Sequence, residues 1–150
     1  MRADLSKSLW QLELEKTLIG GWMSSCSSPT SQIFFQSDFD FIVFDFEHTG
    51  MSLEQLYLAQ SLSSQYQKPF FVRCKSSTDP NLSQYLDLGC AGIICPMIND
   101  SSQVVNLIKK CKFPPVGNRG AGLYLGNQYG ENFETYQQEF NKSSKIFVQI

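Results

Sequence analysis

Four polar residues stand just after two apolar stretches of the sequence, and their types suit proton transfer beside a carbonyl group. Asp45, Glu47 and His48 follow one stretch, and Arg73 follows the next. A carboxylate near an imidazole holds its tautomer and raises its basicity, which makes His48 a candidate general base. An arginine guanidinium binds a carboxylate through paired hydrogen bonds and stabilises an enolate oxygen, which makes Arg73 a candidate for both of these contacts.

The same residues also allow a structural interpretation without catalysis, in which a carboxylate caps a helix and pairs with Arg73. For each residue alone, that interpretation is the simpler one. His48 is the only histidine of the chain, so any imidazole chemistry depends on it. The combination of His48, a nearby carboxylate and Arg73 therefore favours the catalytic interpretation.

Short apolar strands alternate with helices along the chain, which is the order of a parallel α/β fold. An opening helix is predicted from Leu5, Leu9, Leu12 and Lys16, which share one face. The pattern then predicts strands at 17–23, 39–44, 70–73, 93–95 and 146–150, separated by helices at about 28–36, 52–64, 79–88, 100–108 and 133–140. In such folds the carboxyl ends of the strands face the ligand site, and the four polar residues fall there.

The strand pattern alone does not decide between an open, doubly wound sheet and a barrel. No Gly-x-Gly-x-x-Gly sequence follows the first strand, which disfavours the dinucleotide-binding kind of open sheet. The chain also ends inside the fifth apolar strand, with no helix to cover it. We therefore expect residues 1–150 to be the N-terminal part of one incomplete domain.

Composition and charge exclude several classes of function. The chain has 12 basic and 14 acidic residues, a net charge of −2, which argues against a nucleic-acid-binding surface. No apolar run is long enough to span a bilayer, and the N-terminus lacks the features of a signal peptide. The five cysteines form no Cys-x-x-Cys pair, so we expect reduced thiols, a cytoplasmic protein and no zinc site.

A series of short patterns over residues 18–150 resembles the HpcH/HpaI aldolase family and keeps the family's order. The patterns are Gly21-Trp22, Asp45-x-Glu47-His48, Val72-Arg73, Asp79-Pro80, Leu86-Asp87-x-Gly89, the Gly-Ile-Ile-x-Pro-Met stretch at 92–97, the Pro-Pro-x-Gly-x-Arg-Gly-x-Gly stretch at 114–122, and Val148-Gln149-Ile150. Each pattern is short, and their shared order carries the resemblance. It implies a TIM (β/α)₈ barrel that stops after about strand five in this chain.

The family's enzymes are class II pyruvate aldolases, carbon–carbon lyases that cleave 4-hydroxy-2-oxo acids to pyruvate and an aldehyde. The resemblance therefore implies a small-molecule 2-oxo acid substrate and Mg²⁺ or Mn²⁺ as the cofactor. The family's metal ligands are a Glu that would follow Ile150 and a later Asp, and both fall outside this chain. Gln149 corresponds to a pyruvate-binding residue, and Glu47 is expected to contact metal-bound water.

The resemblance also assigns catalytic roles. His48 corresponds to the general base, and Arg73 corresponds to the group that stabilises the pyruvate enolate. Asp87 corresponds to the acid that raises the basicity of the histidine, and Asp45 is a second candidate for that partner. The position of Asp87 at the end of a predicted helix does not itself indicate this role, which rests on the resemblance.

Other features lead to less specific expectations. Phe46 departs from the family, because many members carry a small residue there, and a bulky ring is expected to reshape the aldehyde side of the pocket. Arg119 stands between glycines, where a loop can bind an anion, but we favour a flexible lid or turn. We expect Trp22, Cys90 and Cys95 to lie in the core.

Two other hypotheses about function stay open. In the first, the chain is an inactive fragment, a pseudo-enzyme or a binding module, because it lacks the family's metal ligands; the isolated chain is expected to be inactive. In the second, the parent protein forms carbon–carbon bonds, as citrate-synthase-like relatives of the family do. For a full-length aldolase, the resemblance implies a homo-oligomer, either a hexamer or a trimer of dimers.

Overall fold

Residues 17–150 form a five-stranded parallel sheet in the computed structural model, which describes this part of the chain. The strands are β1 (Gly20–Met23), β2 (Phe41–Asp45), β3 (Phe70–Arg73), β4 (Gly92–Cys95) and β5 (Lys145–Val148). Their order in the sheet is their order in the chain. This confirms the predicted α/β class, whereas the predicted opening helix lies outside the described residues.

Helices connect each strand to the next. They are α1 (Ser28–Gln36), α2 (Leu53–Tyr66), α3 (Leu82–Asp87), α4 (Ser101–Cys111) and α5 (Phe133–Ser143), with a 3₁₀ segment at Leu125–Gly130. All the helices predicted within the described residues are therefore present. The first and last strands are shorter than predicted, because β1 begins at Gly20 and β5 ends at Val148.

Side-chain caps set the starts of several helices. The N–H of Ser52 donates to Gln55 Oε1 at 2.9 Å, which is one of the two hydrogen bonds of a capping box at the start of α2. Asp100 Oδ1 accepts the N–H of Gln103 at 3.0 Å and caps α4. The cap of α1 is Ser27, whose hydroxyl oxygen accepts the N–H of Thr30 at 3.3 Å.

The start of α3 is a correction to the sequence-based prediction, which placed it at Asp79. The helix begins at Leu82, because the buried Asp79 carboxylate closes a turn in front of it. Asp79 accepts the N–H groups of Lys75 and Asn81 at 3.0 and 2.9 Å, and the Tyr85 hydroxyl at 3.1 Å. A buried carboxylate with this many donors is satisfied without acting as a helix cap.

The two faces of the sheet differ in what covers them. One face packs against the helices and forms the main core, which includes Ile42, Phe44, Phe70, Val72, Ile93, Phe35, Leu56, Leu86 and Leu107. Alternate strand residues point to the other face, where a smaller cluster is built on Val43 and Phe71. No residue of a described helix belongs to that cluster, and we call this side the open face. Parallel strands in chain order with helices on one face are the parts of a (β/α)₈ barrel.

The described helices include none that could cross a membrane, because none combines the required length with sufficient hydropathy.

Candidate active site

Asp45 and Arg73 are neighbours at the carboxyl ends of β2 and β3. The parallel register pairs the two residues, so both side chains leave the sheet on the open face. The Arg73 guanidinium donates from Nε to Asp45 Oδ1 at 2.9 Å and from Nη2 to Oδ2 at 2.6 Å. These hydrogen bonds are the main reason that the pKa of Asp45 lies below its usual range and the pKa of Arg73 above its own.

Glu47 joins Arg73 to His48. Glu47 Oε2 lies 3.1 Å from Arg73 Nη1, and Glu47 Oε1 lies 3.4 Å from His48 Nε2. Asp45 holds this turn in place, because its Oδ1 accepts the N–H of Glu47 at 3.0 Å and its carbonyl accepts the Thr49 hydroxyl. The His48 side chain is 70% exposed, so the imidazole is accessible from solvent. The structure therefore brings together four of the residues singled out in the sequence.

Trp22 belongs to the same group, which sequence reasoning missed. It is in register with Val43, so its side chain lies on the open face with Asp45 and Arg73. The Arg73 guanidinium carbon lies 4.9 Å from the centre of the Trp22 ring. The expectation that Trp22 is a core residue is wrong, because 45% of it is exposed. Alternation along β1 places Trp22 and its neighbour Met23 on opposite faces, but it does not say which face the helices cover.

Gln149 follows β5 and stands beside the end of β4. Its N–H donates to the Cys95 carbonyl at 2.9 Å, and its carbonyl accepts the N–H of Ile98 at 3.0 Å. The alternation that puts Phe147 on the open face continues to Gln149, which therefore shares the face of Arg73. Its position at a strand end on that face suits a ligand-binding role, which stays a prediction.

Asp87, the carboxylate expected to act on His48, contacts Arg119 instead. Arg119 Nη2 lies 2.5 Å from Asp87 Oδ1, and the guanidinium carbon lies 4.5 and 4.7 Å from the ring centres of Phe113 and Phe140. The Arg119 side chain is fully buried, and its Nε and Nη1 have no hydrogen-bond partner among the described residues. No contact joins Asp87 to His48 within residues 17–150, so the proposed role of Asp87 in catalysis stays a prediction.

The ion pair of Asp87 and Arg119 holds the loop at 117–122, in which Arg119 stands between glycines. A Cβ on Gly122 would lie 2.5 Å from Asp87 Oδ2, so the glycine permits the close approach of loop and carboxylate. The segment around Arg119 was expected to be a flexible lid or turn. The structure corrects this expectation, since the buried Arg119 anchors the segment in the core. The glycine spacing was visible in the sequence, but the partner of the arginine was not.

Phe46 also differs from its expected place. Its ring is buried and lies 5.0 Å from the ring of Tyr85, on the side of the sheet that faces the helices. The alternation of side chains explains this, because Phe46 points away from its neighbour Asp45. Phe46 therefore does not line the open face, and the expectation that it reshapes the aldehyde side of the pocket is wrong.

The thiols of Cys74, Cys90, Cys95 and Cys111 are buried, which confirms the core position expected for Cys90 and Cys95. Burial raises the pKa of Cys90 and of Cys111 to about 12. A hydrogen bond to Cys95, added to burial, raises the pKa of Cys74 as well. The thiols of Cys74, Cys90 and Cys111 therefore stay protonated at neutral pH and are poor nucleophiles.

A metal site is not formed by the described residues alone. Residues 17–150 contain no group of three or more His, Cys, Asp or Glu side chains placed to hold a metal ion. Both Asp45 oxygens accept hydrogen bonds from Arg73, and both Glu47 oxygens face the cationic or titratable groups of Arg73 and His48. The donor set therefore does not fit a divalent cation without ligands from elsewhere.

Comparison with known proteins finds relatives of about twice the length. The chain is 28% identical over 137 residues to a 2-keto-3-deoxy-L-rhamnonate aldolase of Klebsiella pneumoniae, covering 90% of this chain and 51% of that protein. It is 27% identical over 134 residues to the 2-keto-3-deoxy-L-rhamnonate aldolase of Escherichia coli K12, covering 88% and 50%. The chain thus spans about half the length of these relatives.

Solved structures show the same fold. An HpcH/HpaI aldolase from Desulfitobacterium hafniense matches with a TM-score of 0.85 and 21% identity, over 95% of this chain and 56% of that one. The citrate synthase SbnG matches with a TM-score of 0.80 and 22% identity, over 94% and 54%. These likenesses confirm the TIM-barrel class, of which the described residues supply five strands.

The family model for HpcH/HpaI aldolase/citrate lyase matches residues 18–150, which include every described strand and the cluster around Arg73. The order of the patterns, the parallel sheet and this match agree, and the chain belongs to the HpcH/HpaI aldolase/citrate lyase family.

Proposed function

We propose that the full-length protein is an aldehyde-lyase that cleaves a 4-hydroxy-2-oxo acid to pyruvate and an aldehyde. The observation that carries the proposal is the position of Arg73 at the carboxyl end of β3, facing the same side as Asp45 and close to His48. The family match and the aldolase relatives support lyase chemistry of this kind.

Arg73 is suited to hold the oxo acid. Nη1 and Nη2 each carry a pair of hydrogens, and each uses one of them on Glu47 or Asp45. The remaining N–H groups on the open face can bind the oxygen that becomes negative when the carbon–carbon bond breaks. Gln149 at the end of β5 is the proposed second contact to the pyruvate unit.

His48 is the proposed base. It takes the proton from the 4-hydroxyl, the bond between C3 and C4 breaks, and the electron pair passes into the enolate of pyruvate. The new carbonyl leaves as the aldehyde, and the enolate is then protonated at C3. In this chain Asp87 is engaged with Arg119, so we propose Glu47 as the carboxylate that orients His48.

Charge balance supports an additional cation in the full-length protein. Arg73 carries one positive charge, and the carboxylates of Asp45 and Glu47 that contact it carry two negative charges. The cluster is therefore net negative by one charge, and because the substrate is itself an anion, the cluster alone opposes its binding. The Mg²⁺ or Mn²⁺ implied by the family resemblance would supply positive charge and polarise the 2-oxo group, with ligands outside the described residues.

The test is pyruvate release by the full-length protein from a panel of 4-hydroxy-2-oxo acids, with Mg²⁺ or Mn²⁺ and again with a chelator. We expect metal-dependent release that Arg73→Lys lowers by roughly 10²-fold, because a lysine cannot form the bidentate contacts. The control is Lys142→Ala, an exposed position on α5. Full activity in Arg73→Lys, or no release from any substrate, would reject the proposal.

A second candidate function runs the same chemistry in the direction of bond formation. The family includes citrate lyases by name, and a citrate synthase shares the fold. In that direction, the enolate of an acyl-CoA would attack the 2-oxo carbonyl of an oxo acid held at Arg73, and the new carbon–carbon bond would form there. Condensation assays with oxaloacetate and an acyl-CoA distinguish this candidate from the aldolase, because a bond-forming enzyme yields product in these assays and an aldolase does not.

A further inference from the structure

Trp22 is a large apolar residue in an unusual setting. It lies on β1 on the open face, and 45% of it is exposed, whereas the following residue Met23 is buried among core side chains. Core packing therefore does not explain its size. Its ring contacts the guanidinium of Arg73, whose central carbon lies 4.9 Å from the ring centre.

Arg73 is constrained from two directions at once. Asp45 and Glu47 contact the edges of its guanidinium through Nε, Nη2 and Nη1. Trp22 contacts its face, and the indole ring is the strongest cation–π partner among the aromatic side chains. Contacts to the edges alone allow the plane to tilt about the line of the carboxylates, and a ring against the face opposes that motion.

We infer that Trp22 is the positioning residue for Arg73: its indole face fixes the plane of the guanidinium, so that the free N–H groups of Nη1 and Nη2 meet the 2-oxo acid. This inference rests on the proposed function for its catalytic consequence. The geometry of Arg73 itself can be measured without any substrate.

The test compares Trp22→Leu, which keeps an apolar side chain and removes the π face, with Trp22→Phe, which keeps a π face. In the full-length protein, we expect Trp22→Leu to raise KM for the 2-oxo acid and lower kcat/KM by about 5- to 10-fold, the range of a partly desolvated cation–π contact. We expect Trp22→Phe to restore kcat/KM to within about 3-fold of the wild type, because a smaller ring keeps most of the interaction.

Crystal structures of the variants supply the readout that does not need activity. We expect the contacts of 2.9 and 2.6 Å between Arg73 and Asp45 to be kept in Trp22→Phe and lost or lengthened in Trp22→Leu. Phe147→Leu is the matched control, since Phe147 is also 45% exposed on the open face but contacts Phe71. In Phe147→Leu, we expect the distances between Arg73 and Asp45 to stay unchanged.

The outcomes separate the inference from the proposed function. If the wild-type protein releases no pyruvate, the proposed function fails, and the crystal structures alone decide the role of Trp22. If Trp22→Leu leaves both KM and the Arg73 geometry unchanged, the inference is overturned while the function stands. Equal damage in Trp22→Phe and Trp22→Leu also overturns it, because the π face would then not be the property that matters.

Discussion

Arg73 and Asp45 form a bidentate ion pair across adjacent parallel strands, with contacts of 2.9 and 2.6 Å at the carboxyl ends of β2 and β3. The strand register makes them direct neighbours, so the pair follows from the fold as much as from the attraction of the charges. The pair has two consequences, since it stabilises the strand ends and fixes the guanidinium proposed to bind the substrate.

The first prediction concerns the pH dependence of stability. Arg73 lowers the pKa of Asp45 in the folded protein, so the stability from the pair is fully present above the ordinary aspartate pKa of about 4. It is lost as the pH falls through the lower folded value. We expect Asp45→Asn to lower the free energy of unfolding by about 2 kcal/mol at neutral pH, and by less in acid.

Urea unfolding of the full-length protein at about pH 7 and about pH 3.5 measures this difference. Glu131→Gln serves as the control, because Glu131 is exposed and lies outside the helices. A penalty for Asp45→Asn that is the same at both pH values would contradict the role given to the ion pair.

The second prediction concerns the buried pair of Arg119 and Asp87. Removing one partner leaves an uncompensated buried charge or an unpaired carboxylate, so Arg119→Met and Asp87→Asn should each cost about 3 kcal/mol. The double variant should cost less than the sum of the two, because it leaves no unpaired charge. Thermal or urea unfolding of the four proteins gives this coupling directly.

The same variants test what Asp87 does in catalysis. If Asp87 acts only through Arg119, kcat per folded molecule in Asp87→Asn should stay within about 5-fold of the wild type. If kcat falls by roughly 10²-fold or more although the variant is fully folded, the result would instead support the partnership with His48 that the family resemblance implies.

The third prediction concerns the attachment of β5, the strand that precedes Gln149. A Cβ on Gly92 would lie 2.1 Å from the backbone oxygen of Lys145, so alanine there forces β4 and β5 apart. We expect Gly92→Ala to lower the free energy of unfolding by about 3 kcal/mol. Gly50→Ala is the matched control, because no atom lies within 4 Å of the added Cβ.

Unfolding midpoints of the two variants, together with pyruvate binding, measure the effect. A Gly92→Ala protein as stable as Gly50→Ala would mean that the strands adjust without cost, which the short distance to a backbone atom argues against.

Local patterns in the sequence were sufficient to predict the strands, the helices and the position of Arg73 at a strand end. Apolar runs that end in polar residues identified β2 and β3, and parallel topology then placed Asp45 beside Arg73. The partners of Arg119 and Trp22 could not be obtained in this way. Asp87 and Arg119 are 32 positions apart, and only the path of the loop brings them together. The direction of Trp22 depends on the strand register, which an apolar pattern does not fix.

The last prediction concerns His48, the proposed base. Its side chain is 70% exposed and its imidazole contacts Glu47, so His48→Ala should leave the free energy of unfolding within about 0.5 kcal/mol of the wild type. Proton removal from the 4-hydroxyl then lacks its acceptor, and kcat should fall by roughly 10²- to 10⁴-fold. KM should change little, because the proposed substrate contacts are Arg73 and Gln149.

Steady-state cleavage by the full-length variant, with and without added imidazole, distinguishes a missing base from a disturbed pocket. Imidazole diffuses into the exposed site left by His48→Ala and can accept the proton, so it should restore part of kcat. It should restore nothing to Arg73→Lys, in which the base is intact and the enolate contact is lost. If His48→Ala keeps most of the wild-type kcat, the proton is removed by another group, and Glu47 is then the nearest candidate because it contacts both His48 and Arg73.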